Sequence, residues 1–222
     1  MTDTPTKTPA RVPYSFFEYR IEYQEPFFEL QKLYSHVAAS IYQAYKEWNV
    51  RLENITFKQN PLNLAEVSLS VAFPGGRYVF NAGLAGASFN VSNPYWEEAD
   101  AILKAVETGI SAVRSSMGIS VKLQRAALGI HLQAKTGPIA GRVGELVRID
   151  HNLLSGKSSK GFGISVYKED LAWVIDTSAQ YPGGLFVKID RLFEPKVSLG
   201  EIASLLNHDE KKLLELISIE IE

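Results

Sequence analysis

The chain has 222 residues, a net charge of −2 and no cysteine. These values exclude disulfide bonds, thiolate nucleophiles and zinc sites built on sulfur, and they argue against a strongly basic surface for nucleic acid. Hydrophobic residues make up 45% and charged residues 22% of the chain, a balance that predicts a folded protein with a substantial core.

The first residues differ in composition from the rest. Residues 1–14 include three prolines and four threonines and lack the apolar segment of a secretory signal. No run in the chain approaches the roughly 18 apolar residues that a membrane helix needs. We therefore predict that residues 1–14 are a disordered tail and that the protein is cytoplasmic, without membrane contact.

Cap residues and helical spacing predict three main helices. The first begins at Pro26, because proline is favoured in a first turn. The second is capped by Asn93 and closed by Gly118. The third begins with a capping box formed by Ser198 and Glu201. A shorter helix is expected after Pro138, carrying Val143, Leu146 and Val147.

One turn sequence occurs twice at an offset of 108 residues. Residues 73–79 read FPGGRYV, and residues 181–187 read YPGGLFV. Proline followed by glycines is typical of a tight hairpin turn, and some of these glycines should adopt a positive φ. Alternating apolar residues flank each turn, which indicates strands. The same offset pairs a strand pattern at 17–23 with another at 125–131.

The repeat predicts a duplicated architecture of class α+β. We expect a first half at 15–118 and a second half at 119–222, each reading strand, helix, three strands, helix. Short turns between successive strands indicate antiparallel sheets packed on helices.

Several short segments carry a family resemblance. They are Phe17-Glu18-Tyr19-Arg20-Ile21-Glu22, Tyr95-Trp96-Glu97-Glu98, Leu123-Gln124-Arg125, Leu192-Phe193-Glu194 and Leu205-Leu206-Asn207-His208-Asp209. Together they resemble a sporadically distributed bacterial family of uncharacterised proteins. The resemblance implies an α+β fold and a bacterial source, and it implies no activity. Family members carry Arg-Tyr-x-Asn-Arg on the strand after the middle helix, where this chain has Gly129-Ile130-His131-Leu132-Gln133.

His131 is the best candidate for a ligand contact among the four histidines. No histidine pair has a metal-ligand spacing, so we expect no metal site. Strand alternation places His131 on one face with Arg125 and Gln133, opposite an apolar row. Polar groups on one sheet face predict a cleft-facing site. Alternatively, this face is open to water or is covered by the segment after Pro138.

Other candidate motifs have ordinary explanations. Gly156-Lys157-Ser158 resembles the end of a phosphate-binding loop, but position 151 holds histidine where that loop needs glycine. We therefore predict that residues 155–161 form an exposed connector without phosphate. The carboxylate pairs Glu97-Glu98 and Asp209-Glu210 are expected to be solvated on helix faces. No catalytic residue and no cofactor is assigned.

Two function classes remain. The leading hypothesis is a non-enzymatic binding or protein-interaction module whose partner is a protein or a small molecule, with a homodimer left open and no nucleic acid expected. The alternative is an enzyme whose site is assembled only in three dimensions, in a cleft between the halves. A pocket with a histidine, a carboxylate and oriented amides would favour the enzyme. An exposed strand edge or a flat apolar face would favour partner binding.

Overall fold

The computed structural model describes residues 7–60, 63, 66–135, 137–141, 143 and 163–222. The long helices within these residues are α1 (Leu30–Ala44), α2 (Ala99–Met117) and α3 (Leu199–Leu216). Its ten strands are β1 (Thr8–Tyr23), β2 (Ile55–Lys58), β3 (Ser68–Ala72), β4 (Tyr78–Gly83), β5 (Gly86–Ser92), β6 (Val121–Ala134), β7 (Ile164–Lys168), β8 (Leu171–Thr177), β9 (Leu185–Phe193) and β10 (Ile219–Ile221). All ten strands belong to one sheet. The α+β class expected from the sequence is confirmed.

The chain divides into two compact units. Unit one contains Met1–Ser15, Ala127–Arg191 and Ala203–Glu222, and unit two contains Phe16–Ala126 and Leu192–Ile202. The long strands β1 and β6 each contribute residues to both units. The units therefore do not coincide with the sequence halves 15–118 and 119–222.

Unit two is built on the strand order β2-β3-β4-β5-β1, and each of these neighbouring pairs is antiparallel. The register aligns Val71, Phe80, Phe89 and Tyr19 in one row across four strands, and all four side chains are buried. Burial alternates strictly along β5, as expected for a sheet with one face on the core. This row forms the centre of the core of unit two.

A glycine allows helices α1 and α2 to pack closely in unit two. The Tyr45 hydroxyl, just after α1, donates a hydrogen bond of 2.9 Å to the carbonyl of Ala105 in α2. A Cβ atom on Gly109 would lie 2.0 Å from that hydroxyl and 2.8 Å from the Phe80 ring. Only glycine fits at this helix crossing.

Unit one contains the strand order β6-β9-β8-β7, with antiparallel β8–β9 and β7–β8 pairs. Its core includes Leu132, Ile175 and Ile189. The start of β1 pairs in parallel with β10, with Thr8 opposite Ile219. Residues 8–14 therefore belong to a strand, and the prediction of a disordered tail is wrong for them, because β10 supplies backbone partners from the far end of the chain. Residues 1–6 lie outside the described residues.

The halves do not share the expected order of elements. Four strands, β2 to β5, separate α1 from α2, where three were predicted. The first Pro-Gly-Gly turn joins β3 to β4 and is followed by two strands before a helix. The second joins β8 to β9 and is followed by one strand before a helix. The two turns thus occupy different places in the strand sequence, so the 108-residue offset does not relate equivalent turns.

The local turn and cap chemistry agrees with the sequence at several positions. Gly75, Gly76 and Gly183 have φ between 70° and 85°, as the turns require. Gly118 ends α2 with φ 62°. The Glu201 carboxylate accepts a hydrogen bond of 2.9 Å from the Ser198 N–H, and the Ser198 hydroxyl accepts one of 3.3 Å in return, which completes the capping box.

The starts of the first two helices differ from the prediction. Helix α1 begins at Leu30, four residues after Pro26, and α2 begins at Ala99 after a 3₁₀ turn at Trp96–Glu98. Asn93 takes φ 49° and does not cap α2. Of the helix expected after Pro138, Val143 is helical and buried, and most of the remainder lies outside the described residues, as does the connector at 155–161.

Candidate functional site

His131 lies in the interior of unit one, on the second half of β6. Its side chain is 93% buried, since only 7% of the residue surface is exposed. Three aromatic rings surround it, with centroids 4.8 Å away for Phe186, 5.4 Å for Tyr181 and 5.8 Å for Tyr14. The cleft expected at this position is therefore closed by aromatic side chains.

His131 contacts the second Pro-Gly-Gly turn through Ser178. Its Nδ1 and the Ser178 Oγ share a hydrogen bond of 2.8 Å. The same Oγ accepts a hydrogen bond of 3.0 Å from the backbone N–H of Tyr181. The Gly183 carbonyl accepts N–H bonds from Ile139 and Ala140. These contacts fix the turn against β6 and give His131 a positioning role in the fold.

Burial also sets the protonation state of this histidine. Desolvation lowers the pKa of His131 below its ordinary value of 6.5. The ring is therefore neutral near pH 7, and its Nδ1 acts as donor or acceptor toward Ser178 according to the tautomer.

The other two predicted site residues have separate environments. Gln133 is half-buried in unit one, and its Oε1 accepts a hydrogen bond of 2.8 Å from Arg11 Nη2. Arg125 belongs to unit two and has an exposed side chain. All three residues do lie on the same strand, β6, as the alternation predicted. The aromatic side chains that cover His131 come from segments distant in sequence, and the periodicity of one strand cannot predict such contacts.

The Ser178–His131 pair has the atoms of a nucleophile and a base. Catalysis by such a pair needs a third group that orients the histidine, and it needs an accessible nucleophile. Three aromatic rings lie close to His131, and none of the described carboxylates is hydrogen-bonded to it. Likewise, the described ranges contain no group of three or more metal-ligating side chains. The pair is therefore best explained as a structural contact.

A buried charge cluster in unit one was missed by the sequence analysis. Arg191 on β9 donates from Nη1 to Asp209 on α3 at 2.6 Å, and from Nε to Asp170 in the β7–β8 turn at 3.2 Å. Asp209 is buried, contrary to the expectation of a solvated pair with Glu210. The sequence did contain a sign that Asp209 is buried. Position 209 lies three residues after Leu206, on the same buried face of α3.

Glu210 is the second buried carboxylate of α3. It is 94% buried, and none of the described residues donates a hydrogen bond to it. Desolvation raises the pKa of its carboxyl to about 7, against an ordinary value of 4.5. The charge of this carboxyl therefore changes near neutral pH.

An open polar groove lies in unit two, between the end of α1 and the first Pro-Gly-Gly turn. Its volume is about 470 Å³, and charges of both signs line it. The lining residues are Tyr42, Lys46, Asn49, Val50, Arg51, Glu53, Asn54 and Pro74. The volume is in the range of ligand sites, but the Arg51–Glu53 pair at its rim is largely exposed and spans 3.7 Å. Such a rim gives little orientation to a ligand.

Strand β7 presents a different kind of surface. It is the last strand in the order of unit one, and its four final residues are exposed on both faces of the strand. Val166 is 48% exposed and Tyr167 is 78% exposed. Val166 stands opposite Trp173, on the same face as the buried Ile175. The apolar face of the sheet thus continues to the last described strand of unit one, whose outer side, formed by Ile164–Lys168, we call the β7 edge.

The strand at the other end of the order, β2, is covered on its apolar side, unlike β7 in the described part of the chain. Strand β2 ends the order of unit two and alternates between half-buried and exposed residues. Its Phe57 stacks on Tyr34 of α1 with centroids 4.6 Å apart, so a helix covers its apolar side. Edges are usually protected by such cover, by proline or by inward charges. Strand β7 has no proline, and Lys168 at its end is its only charged residue.

The chain matches no protein family model and no curated protein. None of the helices in the described ranges combines the length and low charge needed to cross a bilayer.

Proposed function

We propose that this protein is a non-enzymatic interaction module of the cytoplasm that binds a partner protein by strand addition at the β7 edge. The observation that carries the proposal is the exposure of Val166 and Tyr167 on a strand that ends the strand order of unit one among the described residues. An added strand would pair with the backbone of β7 and extend the sheet. The cytoplasm is favoured because a chain without cysteine suits a reducing compartment.

The β7 edge is held in position before any partner arrives. Strand β7 pairs with β8 over five residues, from Ile164 opposite Ile175 to Lys168 opposite Leu171. Arg191 ties the adjoining turn, through Asp170, to the buried Asp209. A preorganised edge loses little conformational entropy when a strand is added, which favours binding.

The interaction function is better supported than an enzyme. The Ser178–His131 pair is enclosed by rings, whereas Val166 and Tyr167 are exposed on a strand edge. An exposed edge was the feature expected to favour partner binding. The alternative is an enzyme with its site in a cleft between the halves.

We also propose that the two halves descend from one duplicated module. Counted outward from β1, the order is β5, β4, β3, and counted outward from β6 it is β9, β8, β7. In each half the strand that precedes the helix lies next to the long first strand. Helices α2 and α3 begin 100 residues apart, at Ala99 and Leu199. The 100-residue spacing of the two helices matches equivalent elements of the halves, whereas the 108-residue spacing of the Pro-Gly-Gly turns does not.

A photo-crosslinking experiment tests the interaction function. A benzoylphenylalanine in place of Tyr167 is introduced into the full chain expressed in its own cells, which are then irradiated. We expect a protein adduct, because the side chain at this position would lie beside the added strand. The mass of the adduct identifies the partner.

The matched control places the same photo-reactive residue at Trp96, an aromatic residue that is 61% exposed on unit two. Adducts seen equally from both positions would reflect random collisions, and the absence of any adduct specific to position 167 would contradict the proposal.

A further inference from the structure

We propose that the strand added at the β7 edge is β7 of a second copy of this chain, so that the protein forms a twofold dimer through a continuous sheet. This inference rests on the proposed function and names its partner. Closed twofold dimers are the commonest soluble assemblies, and in them one surface patch must complement itself. An antiparallel pair of β7 strands meets this requirement, because two identical strands in that arrangement are related by a twofold axis.

The register is centred on Val166. In an antiparallel pair with the dyad at this residue, Val166 stands opposite Val166 of the second copy, Ser165 opposite Tyr167, and Ile164 opposite Lys168. Directly opposed side chains in a sheet are in contact. The two valines would therefore bury each other on the face that already carries Trp173 and Ile175.

Charge favours the same register. Lys168 is the only charged residue of β7, and this arrangement places the two ammonium groups at opposite ends of the paired segment, each facing Ile164. No like charges are opposed, and opposed like charges are what destabilises a wrong pairing. The strand contains no proline, so every residue of β7 has a backbone N–H.

Side-chain burial shows where the new contact would form. Val166 and Tyr167 are among the most exposed large apolar groups in the described part of unit one, at 48% and 78%. They point to opposite faces of the strand, so a second β7 would cover both faces at once. A small ligand would contact only one of them.

A charge-swap experiment tests this inference on the full chain. Val166→Lys and Val166→Glu each place like charges directly opposite each other at the dyad. We expect the wild type to be a dimer by light scattering across a dilution series, and each variant to dimerise with a dissociation constant at least about tenfold higher. An equimolar mixture of the two variants should recover the dimer, because lysine then faces glutamate.

Control experiments distinguish a loss of dimerisation from a loss of folding, and distinguish failure of the dimer from failure of the proposed interaction function. Thr56→Lys adds the same charge to the exposed face of β2 and should leave the dimer intact, and circular dichroism checks that every variant is folded. A monomeric wild type, or a mixture that does not recover the dimer, would overturn the second-copy inference. If the wild type is monomeric while crosslinking from position 167 still yields another protein, the interaction function stands and only the second-copy partner is wrong.

Discussion

At the scale of single residues, buried ionisable groups determine how the protein responds to pH. Glu210 is buried on α3 without a hydrogen-bond donor among the described residues, and desolvation raises the pKa of its carboxyl to about 7. Between about pH 4.5 and 7 the native state then binds more protons than the unfolded chain. The free energy of unfolding must therefore fall as pH rises through this window.

We predict that Glu210→Gln abolishes this loss. Glutamine has a similar shape and no charge, so the variant should be more stable than the wild type at pH 8, by a difference on the order of 3 kcal/mol from the shift in pKa. Near pH 4.5 the two proteins should have similar stability. Urea unfolding at a series of pH values measures the difference, and Glu215→Gln, at an exposed glutamate on the same helix, is the matched control. Identical pH profiles for wild type and Glu210→Gln would contradict the prediction.

Residue-level predictions succeeded where the chemistry is local. Gly118 and the pair Ser198 and Glu201 act as helix-end signals because caps depend on neighbours within a few residues. Asp209 failed as a prediction because its partner, Arg191, comes from a different element. The aromatic cover over His131 was also not predicted, since Tyr14 and Phe186 reach it from β1 and β9, and a ligand contact of His131 stays a prediction. Neither partner can be read from spacing along the chain.

At the scale of elements, the α1–α2 crossing depends on the absence of a side chain. Glycine in a helix interior usually costs stability relative to alanine. At position 109 a Cβ would lie 2.0 Å from the Tyr45 hydroxyl and 2.8 Å from the Phe80 ring, both fully buried. The normal preference for alanine should therefore be reversed here.

We predict that Gly109→Ala lowers the free energy of unfolding by about 1–3 kcal/mol through overpacking. The matched control is Gly200→Ala near the start of α3, where an added Cβ meets nothing within 4 Å. That variant should be neutral or more stable by up to about 1 kcal/mol. Urea midpoints of the two variants measure the contrast, and an equal effect at both positions would refute the close crossing.

Element positions were less predictable than element types. The alternating patterns around the Pro-Gly-Gly turns did identify strands, as β3, β4, β8 and β9 show. The prediction that the two Pro-Gly-Gly turns are equivalent was wrong, because the same turn residues recur in unrelated hairpins. The position of a strand in a sheet depends instead on pairing between segments far apart in sequence. The pairing of Thr8 with Ile219 is the extreme case, since it joins the two ends of the chain.

At the scale of the whole molecule, the fold class could be predicted from the sequence, whereas the candidate binding edge could be found only in the structure. The sequence predicted the α+β class, which follows from composition and periodicity, whereas the predicted halves 15–118 and 119–222 do not coincide with the two compact units. It did not single out the β7 edge, because an edge exists only once the order of strands is known. The exposure of Val166 indicates a binding edge because β7 is the last of the described strands in the order of unit one.

Backbone amide exchange is the measurement that tests strand addition at β7 most directly, because it detects new main-chain hydrogen bonds rather than proximity alone. Deuterium uptake of the full chain is compared in dilute solution and at a concentration where the chains associate. The account predicts that exchange across Ile164–Lys168 slows on association while exchange across Ile55–Lys58, the edge strand of unit two, is unchanged. Association that leaves exchange across Ile164–Lys168 unaltered, or that protects another element instead, would contradict it.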